Sequence, residues 1–148
     1  MTIRFITDYP ALFIPDQKIL VIADLHLGVE HELYKSGIVI HPQAEKFQKT
    51  LDELIKMTKA KTLVILGDIK HEVPGISYRE IKEIPKLFSF LTENIKTYVC
   101  LGNHDSFLKD LLPKEVKVYP SRGFKLGKYG FFHGHAWPSK KLMLCDYL

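Results

Sequence analysis

The segment KTLVILGD, from Lys61 to Asp68, decides the fold of this chain. Its aliphatic run ends in a carboxylate at a glycine-containing turn, which is typical of a buried strand that runs into a loop. Two further segments have the same design: KILVIADLHLG from Lys18 to Gly28, and KTYVCLGNHD from Lys96 to Asp105. The shared design predicts three strands of one sheet.

Helical patterns separate these strands. From Pro42 to Lys59 the apolar residues recur with a 3.6-residue period, and Pro42 is suited to open a helix. The stretch from Ser77 to Asn94 has a similar period, and Pro85 is expected to divide it into two pieces. Alternating strands and helices predict an α/β fold with right-handed crossovers. After Asp105, the shorter units EVKVYP, FKLG and KYGFFHG predict a meander of strands.

Composition limits the class of protein. The chain has 148 residues and is 46% hydrophobic, so we expect one domain over residues 1–148 with a substantial core. Thr7 and Asp8 interrupt the N-terminal apolar residues too early for a signal peptide, and no segment approaches the roughly 20 apolar residues of a membrane span. A cytoplasmic protein without a membrane partner is expected. Cys100 and Cys145 are interpreted as free thiols.

The charge of the chain leaves its partners open. A net charge of +4 suits an anionic partner such as nucleic acid. However, 18 of the 21 basic residues are lysines, scattered over the whole length, whereas arginine is better matched to phosphate. A protein from a hot environment would be rich in lysine without any such partner.

The ends of the predicted strands carry the functional signal. In α/β sheets, ligands collect beyond the carboxyl ends of the strands. The polar residues at these ends are Asp24, His26, Asp68, Asn103, His104 and Asp105. Their mixture of carboxylate, amide and imidazole groups favours manganese, iron or zinc. Aspartates on different strands also allow one carboxylate to bridge two ions, an arrangement used in phosphoryl displacement.

These residues resemble the motifs of the calcineurin-like metallophosphoesterases, which read D-x-H, G-D-x-x-D, G-N-H-D/E, a single H, and G-H-x-H. The first four are matched in order by DLH (Asp24 to His26), GDIKH (Gly67 to His71), GNHD (Gly102 to Asp105) and His133. The residues of these motifs are most similar to those of the prokaryotic branch related to the SbcD nuclease subunit and to the DNA ligase-associated phosphoesterases. The resemblance implies a four-layer αββα sandwich of mixed sheets flanked by helices.

The resemblance also implies two divalent metal ions. Manganese is the first choice, with iron, zinc, nickel or magnesium as alternatives. Asp24 and His26 would hold the first ion, Asp68 would bridge both, and Asn103 and His133 would hold the second. A water or hydroxide between the ions would be the nucleophile.

Two residues of the GNHD motif are assigned to catalysis by the same resemblance. His104 would stabilise the phosphate oxygens or protonate the leaving oxygen, and Asp105 would orient the other nitrogen of its ring.

The chain departs from the family pattern at two places. The last residue of its second motif is His71, where much of the superfamily has aspartate. No G-H-x-H sequence follows His133, so we expect the last strands to be missing and metal occupancy to be partial. An edge left open in this way would favour a homodimer.

Other residues admit two interpretations. His71 is as consistent with lining the site as with a separate role. His135 is interpreted as a loop residue or an indirect donor beside His133. Trp137 would suit stacking of a base, but a packing role in its loop is preferred.

The leading hypothesis is a metal-dependent phosphodiesterase or nuclease, with a role in DNA repair, that acts on DNA, RNA or nucleotides. One alternative is a phosphomonoesterase. A second alternative is a non-catalytic scaffold, because the metal site lacks the last motif.

Overall fold

The structure is a computed structural model that describes residues 3–148, and it contains one mixed sheet, a small second sheet and three helices. The strands are β1 (Arg4–Phe5), β2 (Leu12–Ile14), β3 (Ile19–Ala23), β4 (Thr62–Leu66), β5 (Lys96–Cys100), β6 (Lys117–Tyr119), β7 (Phe124–Leu126) and β8 (Tyr129–Phe131). The helices are α1 (Val29–Lys35), α2 (Ala44–Thr58) and α3 (Tyr78–Asn94), with 3-10 turns at Leu108–Leu111 and Leu142–Leu144.

The six-stranded sheet places the strand ends level with one another. Its strands follow the order β1-β2-β3-β4-β5-β6, with β3 to β6 parallel and the first two antiparallel. Ala23 pairs with Leu66, and Leu66 pairs with Cys100, so β3, β4 and β5 end in one row. The loops that follow these strands therefore leave the sheet at the same edge.

Alternation along the strands divides the core between the two faces of the sheet. One face packs against α2 and α3 through residues such as Leu63, Ile65 and Val99. The other face packs against the β7–β8 hairpin, through residues such as Val64 and Tyr98. The predicted α/β class is confirmed. Within residues 3–148 a helix layer, the large sheet and the small sheet are stacked in that order; these are three of the four layers that the resemblance implied.

Two local predictions need correction, and one helix was missed. Helix α3 runs unbroken through Pro85. Proline has no N–H to donate to the Ile81 carbonyl, but Ile81 is on the exposed side of the helix, where that carbonyl can turn toward water. Strand β6 joins the large sheet parallel to β5, so the last third of the chain is not a simple meander. Helix α1 was not predicted.

Within residues 3–148, no helix is long and apolar enough to cross a bilayer.

Candidate metal centre

Two of the strand-end loops are joined by backbone hydrogen bonds. The amide of Asp24 donates to the Gly67 carbonyl at 3.1 Å, and the amide of His26 donates to the Asp68 carbonyl at 2.9 Å. Asp24, His26 and Asp68 have φ values of 54°, 45° and 51°, in the left-handed region that residues other than glycine seldom adopt. Such strain is concentrated at functional sites, where surrounding contacts hold it in place.

Asp68 lies at the centre of the predicted residues. Its Oδ1 atom accepts a hydrogen bond from the His104 amide at 2.9 Å. Its Oδ2 atom lies 3.8 Å from Nε2 of His26 and 3.6 Å from Nε2 of His133. A side chain on Gly102 would overlap the Asp68 carboxylate, so the GNHD loop can approach only because this residue is glycine.

His133 reaches the site from the end of β8, on the opposite side from the helices. Its Nδ1 atom lies 2.8 Å from the Leu66 carbonyl oxygen. Because a carbonyl can only accept, Nδ1 carries the proton and Nε2 offers its lone pair toward Asp68. The structure therefore presents the His133 ring in the tautomer that a metal ligand requires.

Two groups of potential ligand atoms result, each with its atoms within 4.8 Å of one another. Asp24, Asp68 and His133 form the first group, and His26, His71 and His104 form the second.

His71, whose role the sequence left open, lies inside the second group. Its Nδ1 atom is 3.4 Å from Nδ1 of His26, and its Nε2 atom contacts the Glu32 carboxylate on α1. That contact lowers the pKa of Glu32. In the sequence, the histidine in place of the usual aspartate was the signal that position 71 is unusual. The contact with Glu32 could not be predicted, because α1 was not predicted.

Asp105 does not orient the ring of His104, and this prediction is wrong. Its buried Oδ1 accepts from the amides of Ile69 at 2.8 Å and Lys70 at 3.3 Å, and its Oδ2 accepts from Gly102 at 2.8 Å. The carboxylate turns toward these amides because they would otherwise be buried without partners. Nδ1 of His104 instead lies 2.8 Å from the His71 carbonyl oxygen.

The other predicted residues lie toward solvent. Asn103 is exposed on the GNHD loop, between Gly102 and His104. His135 is exposed, with its ring centroid 4.9 Å from that of His133. Trp137 is 88% exposed, so the packing role preferred from the sequence is wrong.

The arrangement of these loops can be compared with known proteins. The sequence model described as calcineurin-like phosphoesterase matches residues 17–145. The chain belongs to this family. Among curated proteins, none matches the chain significantly.

Two solved structures share the calcineurin-like phosphoesterase fold with this chain. Pseudomonas putida nuclease MPE is 21% identical with a TM-score of 0.56, over 82% of this chain and 55% of that chain. Yfce, a phosphoesterase from E. coli, is 20% identical with a TM-score of 0.51, over 82% of this chain and 62% of that chain. The chain therefore spans less than two thirds of the length of either structure.

The side chains fit the divalent metals that calcineurin-like phosphoesterases use. Two ligand atoms of one ion, each about 2.1 Å from it, are roughly 3.0–3.4 Å apart. The separations of 3.8 and 3.6 Å between Asp68 Oδ2 and the nitrogens of His26 and His133 exceed this range by only a few tenths of an ångström. Mixed oxygen and nitrogen donors suit manganese, iron or zinc.

Proposed function

We propose that the chain hydrolyses phosphodiesters with two divalent metal ions. One observation carries the proposal: Oδ2 of Asp68 lies between Nε2 of His26 and Nε2 of His133, while its Oδ1 is fixed by a backbone amide. A carboxylate in this position is suited to bridge two ions.

The other ligands are assigned from the family motifs, whereas the ligand-atom groups of the structure bring Asp24 next to His133 and His26 next to His71 and His104. Asp24 and His26 would complete the first ion, and Asn103 and His133 would complete the second. Bound ions would polarise the phosphate and lower the pKa of a water molecule that attacks phosphorus.

His104 would handle the proton of the leaving group. Its Nδ1–H donates to the His71 carbonyl, so Nε2 is the nitrogen left to exchange a proton; the doubly protonated ring would give the Nε2 proton to the departing oxygen and be left as the neutral Nδ1–H tautomer. Asp105 would serve this step indirectly, because its hydrogen bonds to Ile69 and Gly102 tie the two loops together.

A nucleic-acid substrate is supported by the surface next to His133. Trp137 follows His133 by four residues, which places it within about 14 Å along the chain. Arg122, Lys140 and Lys141 are exposed nearby, and the Ser139 amide donates to the Arg122 carbonyl at 2.9 Å. An exposed aromatic ring among cations is suited to stack a base and bind its phosphates. One of the structural neighbours is itself named a nuclease.

The test compares three substrates in the presence of Mn²⁺: bis-nitrophenyl phosphate, nitrophenyl phosphate and single-stranded DNA. We expect the diester and the DNA to be hydrolysed and the monoester to react slowly. Trp137→Ala should weaken apparent DNA affinity by about 5- to 30-fold, from stacking of roughly 1–2 kcal/mol, and leave the small diester unaffected. A preference for the monoester would replace this proposal with a phosphomonoesterase. Absence of any hydrolysis at saturating metal would favour the scaffold.

Other expectations from the sequence stay predictions. They are manganese as the native metal, a role in DNA repair, the SbcD-related branch, a single domain over residues 1–148, a cytoplasmic location and a homodimer.

A further inference from the structure

We infer that Lys70 and Glu80, two buried charged residues outside the ligand set, are positioning residues that fix the ring of His104 through the loop from His71 to Ser77. The inference rests on the proposed function, in which His104 transfers the proton. Neither residue would touch the metal ions or the substrate.

Glu80 fixes the amides of this loop. Its side chain is 1% exposed, and Oε1 accepts from the amides of His71 and Glu72, both at 2.8 Å. Oε2 accepts from the Ser77 amide at 2.6 Å, and the Ser77 hydroxyl accepts in return from the Glu80 amide at 3.3 Å. The exchange with Ser77 is an ordinary capping box at the start of α3. The two bonds to His71 and Glu72 go beyond what the helix requires.

Lys70 fixes the carbonyls of the same loop. Its side chain is 0% exposed, and Nζ donates to the carbonyl oxygens of Glu72 and Gly75, the latter at 2.7 Å. The Glu80 carboxylate therefore binds amides of this loop, and the Lys70 ammonium group binds its carbonyls.

Room for Glu80 is provided by Gly28. A Cβ atom at this position would lie 2.9 Å from Cγ of Glu80, and its φ of +97° suits glycine.

The held loop ends in the contact to His104. The carbonyl of His71 belongs to the same peptide unit as the Glu72 amide, and that amide donates to Oε1 of Glu80 at 2.8 Å, which fixes the orientation of the unit. The preceding peptide unit is also held, because the His71 amide donates to Oε1 of Glu80 at 2.8 Å and to the Leu27 carbonyl at 3.0 Å. The carbonyl of His71 accepts from Nδ1 of His104 at 2.8 Å. Rotation of this peptide would remove the acceptor that keeps the His104 proton on Nδ1.

Burial of a lysine and a glutamate is an expensive way to close a loop. Removing each charge from water costs several kcal/mol, offset only by good hydrogen bonds, and apolar residues often stabilise a fold as well or better. A requirement to place one carbonyl accurately explains why charged groups are used here.

The experiment uses Glu80→Gln, which keeps the volume of the side chain, and Lys70→Met. Glu30→Gln is the matched control, because Glu30 is also a buried glutamate at 2% exposure and lies on α1. The first readout is the tautomer of His104 in metal-free protein, followed by ¹⁵N NMR about two pH units above the ordinary histidine pKa. We expect the Nδ1–H tautomer in the wild type and in Glu30→Gln, and a shift toward Nε2–H in the two test variants.

The second readout is kinetic. Both test variants should lose about 10- to 100-fold in kcat, with KM and Mn²⁺ affinity within about twofold of the wild type. In a His104→Ala background, Glu80→Gln should have almost no further effect on kcat, because residues that act as a unit are not additive. Circular dichroism checks that each variant is folded.

Two outcomes would overturn the inference. One is an unchanged His104 tautomer in folded Glu80→Gln protein. The other is a loss of kcat that is equally large with and without His104, which would make the role structural only. If the wild type hydrolyses nothing, the proposed function fails, and the tautomer measurement still decides whether the two residues position His104.

Discussion

Two sets of buried carboxylates in this molecule are treated in opposite ways. At the strand-end edge, Asp68, Glu80 and Asp105 accept hydrogen bonds from backbone amides of the site loops. At the contact between α1 and α3, Glu30 is 2% exposed, yet neither of its oxygens has a hydrogen-bond partner within residues 3–148. Oε2 of Glu83 is buried without a partner in the same part of the chain.

This difference matches the demands on the two regions. The site loops have to be placed accurately, whereas α1 and α3 only have to pack against each other. Amide donors offset the loss of water around a carboxylate and fix the backbone at the same time. Between the helices Glu30 has a long ion pair instead of hydrogen bonds: Nη1 of Arg79 lies 4.0 Å from its Oε1. Burial and the neighbouring Glu30 together raise the pKa of Glu83.

The largest effect is expected for Asp105→Ala. Three backbone amides would lose their acceptor, and buried groups left unpaired cost roughly 1–3 kcal/mol each, so we expect a loss of at least about 3 kcal/mol in the free energy of unfolding. Urea denaturation of the metal-free protein measures it. Asp110→Ala is the control, because Asp110 is exposed on the following turn. Equal stability of the two variants would remove the structural role given to Asp105.

Asp68→Asn separates charge from hydrogen bonding within the amide-bonded set. The asparagine oxygen can still accept from the His104 amide, so the unfolding free energy without metal should change little. Loss of the negative charge between His26 and His133 should reduce Mn²⁺ affinity and phosphodiester hydrolysis by at least about 100-fold. Calorimetric titration with Mn²⁺ and a diester assay test both. Wild-type metal affinity in this variant would contradict the bridging role.

Gly102→Ala tests how closely the loops must approach. The new methyl group would overlap Oδ1 and the backbone nitrogen of Asp68, and we expect a loss of about 1–3 kcal/mol in unfolding free energy together with weaker metal binding. Gly134→Ala is the matched control, since no atom lies within 4 Å of a Cβ atom there. A loss of stability in the control as large as that in Gly102→Ala would show that close approach is not the cause.

The sequence predicted the parts of this site that depend on local pattern. The apolar runs before Asp24, Asp68 and Asn103 predicted three strands of one sheet, and the pairing of β3, β4 and β5 confirms them. The sequence did not predict which segments that are distant along the chain would contact each other. Glu80 was only one residue of a predicted helix, and its bonds to the His71 loop depend on where α3 begins relative to β4.

Asp105 is an example of a contact that the sequence predicted and the structure does not contain. A neighbour of His104 in sequence was expected to contact its ring, but the chain turns between the two residues. The acceptor for that ring came from residue 71, which is 33 positions away. Local pattern therefore predicted which residues gather at the edge of the sheet, and packing decided which of them touch.

Glu83→Gln should have the smallest effect, and its sign depends on pH. A glutamate whose pKa is raised by folding does not destabilise the native state below its unfolded pKa of about 4.3; it destabilises the native state increasingly above that pH, and fully once the pH exceeds its folded pKa. The glutamine variant should therefore gain stability relative to the wild type as the pH rises from about 4 to 7. Because Glu83 is partly exposed, the gain should stay below about 1 kcal/mol. Urea denaturation across this range measures it, with Glu93→Gln on the exposed side of α3 as a control that should show a flatter profile. If Glu83→Gln instead lost stability toward neutral pH, the charged carboxylate would be favourable there, and the contrast between the two sets of carboxylates would fail.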